Sequence, residues 1–512
     1  MKVKINAASR IFTTAVLILI QASLIADLLV SFVNWGPAVT FILGVLNIVI
    51  VLHLIRKNDQ AGYKIVWILV VVLLPAVGGL LYLMYGTKLP AKSLQLALDK
   101  EHQATLNYLK QDTTVYNNIK AADNRAASML TYLNNITHYP AYANTATKYY
   151  PMGEDMYEDM LAELGQAKHF IFMEYFIIED GKMWQGILNI LEEKASAGVD
   201  VRLLYDDAGC IALLHSKFAK RMQAKGIKCV PFNKVVPFLA LRMNNRDHRK
   251  ITVIDGHTAF NGGINIADEY INETKKFGVW KDTGVMLKGD AVWNFTLMFL
   301  ETWNAVSKEK IEPQDLVNYK PDVHSDNIYN TKGFVQPYPE TPLDNEAVAE
   351  NVYIDMLNQA TDYVHILTPY LIIGENMKAA LELAAKRGVD VRIVTPGVPD
   401  KKIVYLQTRS HYRELIEAGV RIFEYTPGFL HAKSFVSDDR IGIVGTINLD
   451  YRSLYLHFEC GTLIIGTDTV MDLKNDTAET IAQSREVTLA DCPSGLIAAL
   501  RDSVVRVVAP LM

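Results

Sequence analysis

Asn245–Tyr270 reads NRDHRKITVIDGHTAFNGGINIADEY. A polar opening carries His248 and Lys250, and Ile251–Thr252–Val253–Ile254 then supplies the apolar, β-branched run of a strand. Asp255–Gly256 turns the chain, and a second apolar piece ends at Gly262–Gly263–Ile264–Asn265. The same grammar returns downstream, with His431, Lys433 and Asp438, then Gly445, Thr446 and Asn448, at the same internal spacings. Both copies read H-x-K-x4-D-x6-G-(G/T)-x-N. A lone H-x-K carries little information, because most single histidines are structural or lie on the surface; a doubled pattern of this length is not chance.

In a strand the first histidine and lysine of each copy share a face, because side chains alternate with period two. Each copy therefore sets an imidazole beside an ammonium. Two such faces brought together offer two histidines, two lysines and two asparagines. That set suits a phosphate: cations and amide donors hold its oxygens while a histidine attacks phosphorus.

The chain has 512 residues, half of them hydrophobic, and a formal net charge of −5. This length predicts more than one domain, and the absence of a basic excess argues against a nucleic-acid partner. Cys210, Cys229, Cys460 and Cys492 lack C-x-x-C spacing and read as buried thiols, not as a zinc site or a disulfide framework.

Residues 1–90 read as a membrane anchor of two or three apolar helices. Ile11–Phe32, Pro37–Ile55 and Ile65–Tyr85 are each close to the roughly 20 residues that cross a bilayer. No small-residue cleavage site marks a signal peptide. Lys2, Lys4 and Arg10 precede the first run, Arg56, Lys57 and Lys64 follow the second, and Val33–Gly36 between them is uncharged. The positive-inside rule places both basic flanks in the cytoplasm. The third run is interrupted by Pro75, Gly78 and Gly79 and is followed by Lys88, Lys92 and Lys100. Either it spans, putting the rest of the chain outside, or it is re-entrant or interfacial, leaving the rest in the cytoplasm; the cytoplasmic side is the expectation.

Residues 91–123 read as a connector, 124–307 as a first α/β half, 308–345 as a charged, proline-bearing linker and 346–512 as a second half. Lys168–Ile178 (KHFIFMEYFII) predicts a buried strand, Met183–Gly198 a helix, Val199–Tyr205 a strand, Leu213–Lys225 a helix and Ile227–Phe232 a strand. Tyr363–Ile373 echoes the first of these, and RGVDVRIVTP echoes AGVDVRLLYD. Such alternation predicts two α/β halves, each around a mixed sheet.

The doubled H-x-K-x4-D resembles the phospholipase D superfamily. NRDHRKITVIDG, GGINIADEY, GFLHAKS and GTINLDYRS, with the apolar N-terminus, resemble its bacterial cardiolipin synthase branch over nearly the whole chain. The resemblance implies two halves packed face to face about a pseudo-twofold axis, with the site at their interface. It implies chemistry without metal or cofactor: one histidine attacks phosphorus, and the other protonates the departing alkoxide and then serves as base for the incoming alcohol. On this resemblance His248 is the nucleophile and His431 the acid/base, while Lys250, Lys433, Asn265 and Asn448 hold the non-bridging oxygens. It also places a histidine-orienting carboxylate at Glu459. Asp282 is the counterpart by its following glycines, although its spacing from the motif histidine is longer.

Asp255 and Asp438 close the signature; a turn or buried ion pair behind the strand is expected of them, with proton transfer the alternative. Glu174 and Tyr175 as pocket lining, Asp268, Glu269 and Tyr270 as glycerol contacts or helix caps, and Arg452 as a second phosphate ligand are weaker candidates. Val236–Leu241 and Phe429–Leu430 read either as core or as an apolar entrance for acyl chains, and Leu496–Met512 as an amphipathic or apolar helix that packs in the core, with a lipid contact as the alternative. The resemblance implies a multi-pass cell-membrane phosphatidyltransferase that moves a phosphatidyl group from one phosphatidylglycerol to another, giving cardiolipin and glycerol. A phospholipase D-type hydrolase or another headgroup transferase is the alternative. A non-catalytic scaffold is disfavoured, because both histidines and both lysines are intact.

Overall fold

The computed structural model describes residues 36–75, 77–86, 91–235, 244–324, 327–329, 331–344 and 346–511, with isolated positions between 16 and 27. The first apolar run and the apolar stretch Val236–Leu241 therefore lie outside the described residues, apart from those isolated positions.

The first half contributes β1 (Thr145–Tyr150), β2 (Phe170–Tyr175), β3 (Asp200–Asp206), β4 (Lys228–Phe232), β5 (Lys250–Ile254), β6 (Thr258–Gly262), β7 (Val279–Lys281) and β8 (Gly284–Gly289). The second contributes β9 (Phe334–Glu340), β10 (Tyr363–Leu367), β11 (Asp390–Pro396), β12 (Arg421–Tyr425), β13 (Gly428–Leu430), β14 (Ser434–Ser437), β15 (Ile441–Gly445), β16 (Glu459–Ile465) and β17 (Ser484–Val487). The sheets run β4-β3-β2-β5-β6-β8-β1 and β17-β12-β11-β10-β14-β15-β16-β9, one topology used twice with β17 added at an edge. In each, three parallel strands meet an antiparallel hairpin, β2 against β5 and β10 against β14. The mixed sheets expected from the β–α alternation are present.

Every residue of β5 and β14 is buried, which is why these strands are apolar on both faces. Side chains of β5, β6 and β8 share one apolar cluster with Val436, Val444, Cys460 and Ile464 of the other half. The buried helix Val292–Val306 joins the same cluster. The two sheets thus close over a common core, and the histidine-bearing ends of β5 and β14 face each other.

Several elements differ from the sequence reading. The Leu213–Lys225 helix contracts to Phe218–Gln223, because the Asp206 carboxylate accepts from Ala208 and Gly209 N–H and winds the preceding stretch into turns. The 308–345 stretch carries the edge strand β9, paired with β16. Helix Asn124–Thr137 packs Ala126, Leu130 and Leu133 into the core of the second half. The third apolar run is two short helices, Ala61–Leu73 and Gly78–Tyr85. They fold back against Pro37–Arg56, and Ile50, Leu54, Tyr63, Trp67, Val71 and Tyr82 form one cluster. Asn47 donates to the Pro75 carbonyl at 2.6 Å, satisfying backbone freed by the break. Among the described residues, Pro37–Arg56 is the one helix long and apolar enough to cross a membrane.

Candidate active site

Lys250 and Ser434 open the two central strands, so His248 and His431 sit just before them, at the ends where the halves meet. A pair of crossed backbone contacts fixes them. His248 N–H donates to the Phe458 carbonyl at 2.9 Å, and His431 N–H to the Lys281 carbonyl at 2.7 Å. Phe458 immediately precedes Glu459, and Lys281 precedes Asp282. Each histidine is thereby delivered to a carboxylate of the opposite half. His248 Nδ1 lies 2.9 Å from both oxygens of Glu459, and His431 Nδ1 lies 2.6 Å from Asp282 Oδ2. Both carboxylates are fully buried.

The variable position of the G-(G/T)-x-N element has a physical reason. A Cβ at Gly263 would collide with the Asp282 carboxylate. At the matching position Thr446 Oγ1 instead donates to Glu459 Oε2 at 2.5 Å. Glycine leaves room for one carboxylate; threonine bonds to the other.

Lys250 and Lys433 are buried, and each Nζ donates to the carbonyl of its own motif histidine. Lys433 Nζ also lies 2.8 Å from His431 Nδ1, but that nitrogen has one position and donates it to Asp282. Burial depresses the whole set, and neighbouring positive charge adds to the fall of the two histidines. His248 falls well below the ordinary imidazole range through burial and then Lys250, Lys433 and His431. His431 falls to about 4 through burial and then Lys433, with Asp282 opposing. Burial lowers Lys250 to about 8 and Lys433 to about 7. An empty site of this kind sheds protons, and an arriving phosphate restores them.

The asparagines are not equivalent. Asn265 Oδ1 accepts from Ile177 N–H at 3.0 Å and its Nδ2 donates to Tyr270 Oη at 2.8 Å, so part of its capacity is structural. Asn448 Oδ1 is buried without a donor among the described residues. Asp255 and Asp438 stand at the far ends of β5 and β14, in left-handed conformations with φ of 48° and 52°. Asp255 accepts from Lys168, His169 and Phe170 N–H at 2.8 Å. Asp438 accepts from Thr361, Asp362 and Tyr363 N–H at 2.8, 3.0 and 2.9 Å. Each ties the hairpin to the start of the neighbouring strand, and neither touches a motif histidine.

Of the weaker candidates, Asp268 caps helix Lys182–Ser196 through Lys182 and Met183 N–H. Tyr175 is buried against Thr252 in the core. Glu174 is buried beside Arg249, 3.6 Å away, and burial holds its carboxyl well above the usual range. Tyr270 lies edge-on to His431, with ring centroids 5.4 Å apart.

Sequence reasoning missed His457. It is buried, neither ring nitrogen has a hydrogen-bond partner among the described residues, and its Nδ1 lies 3.6 Å from Glu459 Oε1. Its ring centroid is 5.5 Å from that of His248. Two residues before the other carboxylate stands Trp280, 5.3 Å from His431. Among the described residues, the donor atoms of His248, His457 and Glu459 all lie within 4.8 Å of one another, a set that could hold a metal ion.

Residues 160–283 and 353–480 match the family described as "Cardiolipin synthase, PLD-like domain", and residues 45–86 match a phospholipase D-nuclease N-terminal family. A cardiolipin synthase of Geobacillus kaustophilus is 34% identical over 84% of this chain and 85% of its own length. Cardiolipin synthase 2 of Bacillus cereus is 34% identical over 84% of this chain and 83% of its own. A crystal structure of phosphatidylserine synthase from Haemophilus influenzae shares the fold at a TM-score of 0.54 and 15% identity, covering 76% of this chain and 100% of that one. The two motif-bearing halves, each completing the other's histidine, and this likeness along most of the chain's length agree: the chain belongs to the cardiolipin synthase family of the phospholipase D superfamily.

Proposed function

We propose that this chain is a phosphatidyltransferase that makes cardiolipin from two molecules of phosphatidylglycerol. The crossed His248–Glu459 and His431–Asp282 pairs carry the reading, because they supply two oriented imidazoles in one buried, cation-lined site. Neutral His248 attacks phosphorus through Nε2 while Nδ1–H stays on Glu459. The phosphorus–oxygen bond to glycerol breaks as His431 delivers a proton to the departing alkoxide. The anionic donor lipid raises the His431 pKa on binding, so that the imidazole takes up a proton from water before the attack. Glycerol leaves, a second phosphatidylglycerol gives its hydroxyl proton to His431, and its oxygen displaces His248. Lys250, Lys433 and Asn448 hold the non-bridging oxygens. Burial and the neighbouring lysines keep both imidazoles neutral in the empty site, and the family resemblance assigns the attack to His248.

The membrane supplies both substrates, and proximity favours a lipid alcohol over water. Pro37–Arg56 serves as a spanning helix, and Ala61–Tyr85 enters and leaves from one side. Helix Ala61–Leu73 has 13 residues, about 20 Å of rise, short of a bilayer core of roughly 30 Å. Lys57, Lys64 and Lys92 then share the cytoplasmic side with the catalytic halves.

The purified full chain, given labelled phosphatidylglycerol alone, should yield cardiolipin and glycerol in equal amounts. Phosphatidic acid in place of cardiolipin would make water the acceptor and overturn the transferase reading. Full activity in His431→Ala would overturn the two-histidine mechanism.

A further inference from the structure

The last helix, Leu496–Val508, has no buried residue. Leu496 and Ile497 are 77% and 85% exposed, and Leu500, Val504 and Val508 follow them outward at helical spacing. The polar face looks inward: Arg506 Nη1 bonds Glu414 Oε1 at 2.8 Å, and Nη2 bonds the Ser410 carbonyl. This reverses the arrangement of an ordinary surface helix, whose apolar stripe faces the core.

The surroundings say what covers that stripe. The helix packs beside Lys402–Ser410 on one side and Ala61–Leu73 on the other. The turn after it brings Pro510 against Gly62. Exposed Ile403 adjoins from Lys402–Ser410, and exposed Ile65, Leu69, Val72 and Leu73 line Ala61–Leu73. The apolar face therefore continues that of the hairpin, at the end where Lys57 and Lys64 mark the water boundary.

We propose that Leu496–Val508 is an interfacial docking helix, lying in the surface of the bilayer that holds Pro37–Arg56. The proposal rests on the reading of Pro37–Arg56 as embedded in that bilayer. Docking has a catalytic consequence. Helix Tyr451–Tyr455 starts three residues after Asn448, and Tyr451 abuts Gly62 in the same junction. Gln60 bonds Glu350 beside it, at 3.3 Å. The membrane hairpin, the docking helix and the loop behind the site are thus joined, and docking sets the height and tilt at which the site meets lipid.

The test uses the full chain, whose four cysteines are buried. Ile48→Cys, Ile497→Cys and Glu193→Cys, each carrying one bimane label, are reconstituted into phosphatidylcholine vesicles with brominated acyl chains. Labels at 48 and 497 should lose about half their emission or more, and that at 193 should keep it. Quenching at 48 but not at 497 overturns the docking helix and leaves the anchor standing. Quenching at neither overturns the anchor reading and the proposal with it. An unquenched 497 label, together with a disulfide-linked dimer formed by unlabelled Ile497→Cys, assigns the face to self-association and overturns docking. The double variant Leu500→Glu/Val504→Glu supplies a kinetic check. Its rate on phosphatidylglycerol in vesicles should fall about tenfold, while its rate on detergent-dispersed substrate is unchanged. Equal rates in vesicles for the variant and the parent chain would overturn the proposal.

Discussion

His248 and Glu459 belong to different halves of the chain, yet His248 Nδ1 lies 2.9 Å from both carboxylate oxygens. His431 and Asp282 repeat the exchange in the opposite sense. Neither half holds a complete histidine–carboxylate pair, so the catalytic unit is the closed two-half structure.

This crossing is directly testable. Glu459→Gln should move the imidazole nitrogen resonances of His248 and leave those of His431 nearly unchanged; Asp282→Asn should do the reverse. Each should lower turnover by about 10²-fold while the melting transition is kept, since an imidazole without its orienting partner loses tautomer and alignment. If Glu459→Gln perturbed His431 instead, the crossed assignment would be wrong.

Gly263 and Thr446 should respond in opposite ways to exchange. Gly263→Ala forces a methyl into the Asp282 carboxylate and should cost activity on the order of 10²-fold. Thr446→Ser keeps the hydroxyl donor to Glu459 and should stay within a few-fold of the parent, whereas Thr446→Val should not. Steady-state turnover of the three variants decides it, and an unaffected Gly263→Ala would remove the steric account.

Asp255 and Asp438 should behave as structural residues despite their place in the signature. Replacing either by alanine strands three backbone N–H groups and should destabilise by about 1–3 kcal/mol, with turnover per folded molecule retained. Asp438 also carries a pH signature. Burial opposes its ionised form, but the Tyr363, Thr361 and Asp362 N–H groups outweigh it and hold its folded pKa below the ordinary value. Its contribution is therefore present above the unfolded pKa and lost as pH falls through the folded one. Acid titration of the Asp438→Asn protein should show a weaker loss of stability than the parent; loss of turnover with stability intact would make the aspartate catalytic.

The sequence carried much of this. His248, Lys250, His431 and Lys433 were legible because two copies at one spacing specify both identity and face. The sheet order was foreshadowed by the repeated G-V-D-V-R strands. The partners of the histidines were only half legible: Glu459 and Asp282 could be named, but distance along a chain does not say which half a carboxylate turns towards. Sheet packing decides that through Phe458 and Lys281. His457 escaped because a single histidine has no repeat to raise it above background. The broken third run was written in Pro75, Gly78 and Gly79, but the Asn47 contact that makes the break tolerable is a tertiary fact. The helix Leu496–Val508 was legible, but core packing was preferred over a lipid contact because an amphipathic pattern gives a stripe without saying what covers it.

The buried lysines set the alkaline behaviour of the lipid-free protein. Lys433 and Lys250 titrate near 7 and 8 when folded, against an ordinary value of 10.5. Between those limits the unfolded chain binds protons that the folded chain lacks, so stability rises with pH through this window, by up to about 1.4 kcal/mol per pH unit for each lysine. A bound phosphate analogue should flatten the rise by pulling both values up. Melting curves from pH 6 to 9, with and without vanadate, check this; a parent profile that is flat without the anion would mean the lysines keep their protons.

Asn47 and Pro75 join helix Pro37–Arg56 to the break in the third run, and labelling tests the re-entrant arrangement proposed for it. If Ala61–Tyr85 enters and leaves from one side, Asn58→Cys and Lys92→Cys should react with an impermeant maleimide from the same face of sealed vesicles. Both positions are exposed in the structure. A spanning third run would put them on opposite faces, because a single crossing separates its two flanks. Asn47→Leu removes the donor that holds the break, leaving the Pro75 carbonyl unsatisfied at membrane depth, a cost of about 1–3 kcal/mol. That variant should show earlier thermal loss of activity, with the histidine site unchanged when assayed cold. Labelling of Asn58→Cys and Lys92→Cys from opposite faces would refute the re-entrant arrangement and move the catalytic halves to the other side of the membrane.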